Sequence, residues 1–148
     1  MEEVIDMEIQ QLNTEIKRLL TEYRLGILST MKGEQPYSRY MIFRNEDFLL
    51  HTISNKKTYK VEDICKNDQV HILLGVDKGC YGQPYLEITA TASIHDEPEL
   101  RQHFWHENFL KYLKGPDDPN YIVIRCKPQK IRLINHPESD GPYTLTLT

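Results

Sequence analysis

The order of strand and helix patterns along the chain constrains its fold more than any other feature of the sequence. Residues 25–31 and 37–43 are apolar-rich segments joined by a short turn that contains Lys32 and Gly33, which is typical of a β-hairpin. Further strand patterns occupy 47–54, 69–76 and 85–94, and 121–135 reads as two strands around Lys127-Pro128. Because strands follow one another through short turns without regular alternation with helices, the pattern disfavours a doubly wound parallel sheet and favours a small antiparallel barrel with packed helices.

Three helices accompany these strands. Apolar residues at three- and four-residue spacing predict an amphipathic helix over about residues 6–23, with a stripe of Ile9, Leu12, Ile16, Leu19 and Leu20. Gly26 is expected to follow the end of this helix. A short helix is predicted at 56–67, with Val61 and Ile64 facing inward.

The third helix is predicted to begin at Asp96 and to run to about Lys114. Asp96 with Glu99 three residues later is an N-cap signature, and Pro98 is tolerated in a first helical turn. After the GPDDPN loop and the two strands of 121–135, the tail at 136–148 contains TLTLT, which is either an edge strand or frayed.

Length and composition are those of an ordinary globular domain. The 148 residues are 39% hydrophobic and 27% charged, and we expect one domain over 1–148, with a barrel at about 25–135. A net charge of −4 without a basic block argues against nucleic-acid binding. The acidic N-terminus lacks a signal peptide's apolar region and no segment approaches about 18 apolar residues, so we expect a cytoplasmic protein with no membrane partner. Cys65, Cys80 and Cys126 form no CxxC and are interpreted as reduced thiols.

Common catalytic and metal-binding motifs are missing from the sequence. It contains no GxSxG, HExxH, GxGxxG or phosphate-loop pattern. His103 and His106 could share a helix face, but without a third ligand they favour solvated or capping roles over a metal site. His51 and His71 fall in strands and are interpreted as structural residues.

One cationic cluster carries more chemistry than the rest of the chain. Arg39 sits in a predicted strand, and a polar group follows the third strand where it gives way to a helix: Ser54, Lys56, Lys57, Thr58 and Lys60. A helix N-terminus offers free N–H groups to an anion, and an Arg can hold two phosphate oxygens at once. The cluster therefore suggests a monophosphate site, with a solvated Lys-rich turn as the alternative.

Four segments in the same order resemble the pyridoxamine 5′-phosphate oxidase-like superfamily, and in particular its general stress protein 26 branch. GILSTMKGEQPYSRYMIF loosely matches the family's Gly-x-Pro-x-x-Arg-x-Met pattern at Gly33, Pro36, Arg39 and Met41. The other three segments are HTISNKKTYKVEDI, YLEITATASIHDEPELRQHFW and FLKYLKGPDDPNYIVIRCKPQKIRLI. Together the similarity covers about residues 10–135.

The resemblance implies an α+β fold, mainly β, built on a six-stranded antiparallel split barrel with flanking helices. It also implies a homodimer that holds one FMN in each of two clefts at the subunit interface. Carried over by position, Arg39, Thr58 and Lys60 hold the FMN phosphate. Five further residues line the ribityl chain and the isoalloxazine edge, namely Tyr40, Met41, Thr52, Ile53 and Ser54. Tyr85 is a candidate to reach across the dimer, and Trp105 is a stacking or lid residue or else a core aromatic of the third helix.

Several functions fit this resemblance. The first is an FMN-dependent oxidoreductase acting on a small molecule, because the flavin supplies the redox chemistry that the sequence motifs lack. The second is a non-catalytic flavin-binding stress or sensor protein, and the third is a dimeric scaffold that has lost its flavin. A deazaflavin or haem in the same cleft is a fourth. Pyridoxamine phosphate oxidation itself is not expected, since the closing residues KIRLINHPESDGPYTLTLT contain no Trp and a single Arg.

Overall fold

The computed structural model describes residues 8–75, 82–137 and 141–147. Within them lie eight strands, three α-helices and one 3₁₀ helix. In chain order the elements are α1 (Ile9–Glu22), β1 (Leu25–Lys32), β2 (Gln35–Ile42), β3 (Arg44–Glu46), β4 (Leu49–Asn55), α2 (Tyr59–Lys66), β5 (Gln69–Leu74), β6 (Tyr85–His95), α3 (Pro98–Phe104), the 3₁₀ helix Glu107–Lys111, β7 (Tyr121–Ile134) and β8 (Tyr143–Thr146).

All eight strands belong to one antiparallel sheet in the order β2-β1-β5-β6-β7-β4-β3, with β8 paired to β7 as well. The predicted hairpin and the antiparallel, mainly β class are confirmed. The expected count of six strands is wrong for the described residues. The polar turn after β2 forms the short β3, and the tail forms β8 as an edge strand.

The sheet curves back on itself. β2 is the first strand in this order and β4 is the sixth, yet residues of the two strands are in contact. An antiparallel sheet can bring its first strand to its sixth only by closing toward a barrel. This curvature, which is consistent with a split barrel, places β2 opposite β4 with a gap between them.

Residues 121–134 form a single strand, and the prediction of two strands around Lys127-Pro128 is wrong. Thr89 pairs with Lys130 and Ala90 pairs with Pro128, so Gln129 is the extra residue of a β-bulge. A bulge tolerates Pro128, which has no N–H to donate to a ladder. The strand can therefore pass through the proline without ending.

Helix α1 packs its apolar stripe against the sheet. Leu12, Ile16, Leu19 and Leu20 are buried in the main core, whereas Ile9 is 71% exposed and does not belong to the buried stripe. The helix ends at Glu22, and Gly26 lies inside β1 rather than after the helix end. The part of the predicted helix before residue 8 lies outside the described residues.

The third predicted helix is shorter than expected. It begins at Pro98, with Glu97 rather than Asp96 in the N-cap position, because Pro favours an extended residue before it and Glu97 has φ −60° and ψ 136°. It ends at Phe104, since Trp105 is extended at ψ 139°. His106 then begins the 3₁₀ helix by accepting a hydrogen bond from the Asn108 N–H through Nδ1 at 3.0 Å. None of the helices in the described ranges is long and apolar enough to cross a membrane.

Candidate functional site

A cavity of about 600 Å³ lies where β2 faces β4, beneath the start of α2 and beside the 3₁₀ helix. Its polar lining is Arg39, Thr52, Ser54, Asn55, Lys57, Thr58 and Lys60. Its apolar and aromatic lining is Leu25, Tyr40, Met41, Ile42, Ile53, Phe109, Tyr112 and Leu113. The volume is within the range of roughly 300–1,000 Å³ that is usual for small-molecule sites.

Arg39 is held against the inner wall by the hairpin. It pairs with Leu28 across β1 and β2, and its Nη1 donates to the Leu28 carbonyl oxygen at 3.1 Å and to Thr30 Oγ1 at 2.8 Å. Thr30 Oγ1 in turn donates to Asp63 Oδ2 at 3.4 Å. Burial lowers the pKa of Arg39, and the nearby Asp63 charge partly opposes that shift. The guanidinium is thus fixed in place while part of it faces the cavity.

Lys60 faces the same end of the cavity from the first turn of α2. Its Nζ donates to Ser54 Oγ at 3.2 Å, and Ser54 Oγ lies 3.3 Å from Thr58 Oγ1. Thr58 precedes the helix and donates its hydroxyl to the Asn55 carbonyl oxygen at 2.9 Å. Burial lowers the pKa of Lys60, and the positive charge of Arg39 lowers it further.

Two cations therefore sit close together and partly desolvated. Neither Arg39 nor Lys60 forms an ion pair with any residue in the described ranges. The Asp63 carboxylate is connected to Arg39 only through Thr30, so the two like charges have no direct ion pair and an anion would stabilise this end of the cavity. Thr58 and Lys60, at the start of α2, both line the cavity, and the start of a helix favours an anion.

The structure brings eight of the ten predicted cofactor residues to the cavity wall: Arg39, Tyr40, Met41, Thr52, Ile53, Ser54, Thr58 and Lys60. Tyr85 and Trp105 do not line it. Tyr85 starts β6 beside Gly75, and Trp105 packs against Tyr121 and Phe109 with ring centroids 5.6 Å and 6.2 Å away. Within its own chain, Trp105 is partly buried and packs against a second hydrophobic cluster that includes Tyr121.

Sequence reasoning missed the wall formed by Phe109, Tyr112 and Leu113. In the long third helix that the sequence predicts, the three- and four-residue spacing of these residues marks one face. That spacing was the available signal. Because α3 ends at Phe104 and Trp105 is extended, this face lies against the cavity rather than against the core alone.

The histidines lie away from the cavity. His51 is buried, stacks on Phe104 at 4.4 Å and accepts a hydrogen bond from Arg125 Nε through Nε2 at 3.0 Å. Burial and then the charge of Arg125 lower its pKa to about 4. His103 lies 3.0 Å from Glu46. Across the described ranges, no group of three or more His, Cys, Asp or Glu residues could hold a metal ion.

Comparison with known proteins agrees with this architecture. General stress protein 26 of Bacillus subtilis is 34% identical over 141 residues, which span 95% of this chain and all of that protein. The crystal structure of general stress protein 26 from Bacillus anthracis superimposes with a TM-score of 0.81 at 33% identity, over 92% of this chain and 98% of that one. A Clostridium acetobutylicum protein related to general stress protein 26 shares the fold at 17% identity, with a TM-score of 0.77 over 95% of this chain and 97% of that one.

The family profile described as pyridoxamine 5′-phosphate oxidase matches residues 12–135, which is more than four-fifths of the chain. This match spans the strands and helices that build the cavity. The chain therefore belongs to the pyridoxamine 5′-phosphate oxidase-like family, in its general stress protein 26 branch.

Proposed function

We propose that this protein binds FMN in the cavity between β2 and β4, with the phosphate held by Arg39, Lys60, Ser54 and Thr58. The observation that carries the proposal is the pair of partly buried cations that form no direct ion pair with a carboxylate among the described residues, beside two hydroxyl groups. Charge-assisted hydrogen bonds from such groups suit a phosphate. The apolar lining, including Tyr40, Met41 and Ile53, suits the ring of a flavin, and Thr52 offers a hydroxyl to the polar ribityl chain.

We also propose that the flavin supports an oxidoreductase reaction on a small molecule. Among the described residues, none that lines the cavity is Asp, Glu, His or Cys, so this part of the lining provides no carboxylate, imidazole or thiol for acid–base or nucleophilic chemistry. A bound flavin supplies hydride and electron transfer, and the protein then contributes position and electrostatics. A flavin-binding protein without turnover would use the same cavity and differ only in lacking a substrate.

The assembly that fits this site is a homodimer with the flavins at the subunit interface. Tyr37, Tyr40 and Ile42 leave large apolar areas exposed on the edge strand β2, next to the cavity. Exposed apolar patches on an unpaired edge are commonly covered by a partner. Tyr85 and Trp105, which lie outside the cavity of their own chain, remain candidates for flavin contacts in this assembly.

The phosphate assignment can be tested with FMN and riboflavin, which lacks the phosphate. We expect the Arg39→Ala and Lys60→Ala variants to bind FMN roughly 10- to 150-fold more weakly, because each removes a charge-assisted contact. Riboflavin affinity should stay the same. Lys66→Ala, at the exposed end of the same helix, is the matched control. Equal FMN affinity in all three variants would remove the two cations from the site.

The redox assignment needs a separate measurement. The purified protein should carry a yellow flavin spectrum, or acquire one with added FMN. NADH or NADPH should then bleach it, and an electron acceptor should restore it. Flavin that binds but is bleached by neither nicotinamide would favour the non-catalytic flavin-binding protein.

A further inference from the structure

Two exposed tyrosine rings stand at the mouth of the cavity. Tyr40 is 69% exposed and Tyr112 is 72% exposed, although both contribute to the cavity lining. A large aromatic side chain with so much free surface is a favourable place for a planar ligand to settle. Tyr40 belongs to the predicted flavin contacts, whereas Tyr112 is not among them.

The backbone beneath Tyr112 is fixed. The Tyr112 and Leu113 N–H groups both donate to the Phe109 carbonyl oxygen at 2.9 Å. The next N–H, that of Lys114, donates to Asp118 Oδ2 at 2.8 Å, and the Leu113 side chain is buried. The Tyr112 ring is therefore presented from an ordered wall, so a ligand that contacts it has little backbone disorder to overcome.

The chain's single Trp does not have this position. Trp105 lies behind the wall, with its ring against Tyr121 and Phe109, and it does not line the cavity. Its packing supports Phe109, which does line it. Within one chain, Trp105 therefore acts as a positioning residue for the wall, and Tyr112 is the aromatic group of this wall that is most open to a ligand.

The lining of the cavity has a polar part and an apolar part. Lys60 is hydrogen-bonded to Ser54 in the polar part, which also contains Arg39, whereas Ile53 and Leu113 belong to one hydrophobic cluster against which Phe109 packs. A flavin nucleotide has the same division, with a phosphate at one end and a planar ring at the other. If the phosphate lies on the cations, the ring lies in the apolar part that Tyr112 borders.

We propose that Tyr112 is the aromatic contact for the planar ring of the bound flavin, an inference that rests on the proposed FMN site. The electron-rich phenol packs against the electron-poor oxidised ring. Such contact quenches flavin fluorescence, because an electron moves from the phenol to the excited ring and then returns. A Phe ring keeps the packing but is a far poorer electron donor, so binding and quenching can be separated.

The test is a fluorescence titration of FMN against the full chain and its variants, with circular dichroism to confirm folding. We expect FMN to be quenched on binding to the native protein. Tyr112→Phe should bind with unchanged affinity but leave the bound flavin clearly brighter. Tyr112→Leu should also bind roughly 2- to 10-fold more weakly, as expected for loss of an aromatic contact. Tyr59→Phe, which alters an exposed tyrosine outside the cavity lining, is the matched control.

The outcomes separate the two proposals. No FMN binding by the native protein would overturn both the proposed function and this inference. Normal binding with quenching unchanged in both Tyr112 variants would overturn only the inference. Recovery of fluorescence in Trp105→Phe or Tyr40→Phe, but not in Tyr112→Phe, would assign the ring contact to that other residue and overturn the role of Tyr112.

Discussion

Gly26 shows how closely the strands approach one another beside the cavity. A Cβ placed on this residue would lie 2.7 Å from Leu74 Cδ2 and 2.9 Å from the Leu73 carbonyl oxygen. The carbonyl belongs to the neighbouring strand β5 and cannot move without disturbing the ladder. A side chain at this position must therefore push β1 and β5 apart.

We expect Gly26→Ala to lower the free energy of unfolding by roughly 1–3 kcal/mol, the usual cost of overpacking a well-packed interior. Urea unfolding of the variant and of the native protein measures this difference in the free energy of unfolding. Gly115→Ala is the control, because a Cβ there meets nothing within 4 Å. Equal stability of the Gly26→Ala variant and the native protein would show that the two strands can separate without cost.

His51 is the residue whose charge state should matter most to stability in mild acid. Its pKa in the folded protein is about 4, below the ordinary value of 6.5, so the unfolded chain binds a proton that the folded chain does not. The free energy of unfolding should therefore fall as the pH drops from about 6.5 toward 4, by up to roughly 3 kcal/mol.

The His51→Gln variant should flatten this dependence, although loss of the stacking on Phe104 lowers its stability at neutral pH. Chemical denaturation at a series of pH values measures the slope. His71→Gln, at an exposed strand position, should keep the native slope. A His51→Gln slope as steep as that of the native protein would assign the acid sensitivity to other groups.

At the scale of elements, the segment after α3 decides the shape of the cavity wall. The Asp118 carboxylate accepts the Lys114 and Asn120 N–H groups, both at 2.8 Å, and these two bonds lower its pKa. The Asp118 carbonyl oxygen accepts from Arg101 at 3.1 Å, and the Tyr121 hydroxyl donates to the Arg101 carbonyl oxygen at 2.7 Å. The loop is thereby tied to α3 and β7, and with it the wall that carries Tyr112.

We expect Asp118→Ala to release the Lys114 and Asn120 amides and to loosen the wall. Hydrogen exchange should become faster at these two amides and at Leu113, and FMN affinity should fall while circular dichroism stays near that of the native protein. Asp117→Ala, an exposed neighbour, is the control. Unchanged exchange at Lys114 would show that the loop holds its shape without the carboxylate.

At the scale of the whole molecule, curvature of the sheet creates the site and also leaves an edge uncovered. β2 contributes one wall of the cavity through Arg39 and Met41, while Tyr37, Tyr40 and Ile42 remain open to solvent. A long edge strand with apolar side chains is prone to pair with another chain. The proposed homodimer would use this edge and enclose the cavity at the same time.

Sedimentation tests that assembly. The native protein should sediment at twice the mass of one chain, and Tyr37→Lys should shift it toward the monomer, because a charge would be buried in the interface. Ile9→Lys, at an exposed apolar position on α1, should leave the mass unchanged. A native protein that sediments as a monomer at micromolar concentration would contradict the homodimer.

The sequence by itself determined the local structure and much of the polar site. Alternation and turn residues define β1 and β2, helical spacing defines α1, and the residues from Ser54 to Lys60 mark the cationic end before any contact is known. These signals are readable because each depends on neighbours a few residues apart.

Only the tertiary structure decided what lies opposite those residues. The approach of β2 to β4, the end of α3 before Trp105 and the placement of Tyr112 rather than Trp105 at the cavity are tertiary features. Tyr112, for example, lines the same cavity as Tyr40 and Ile53, which precede it by more than 50 residues in the sequence. Periodicity shows that a side chain belongs to a face, but not which distant element covers that face. Closure of the sheet makes that choice, because it fixes which faces are buried in the core and which border the cavity.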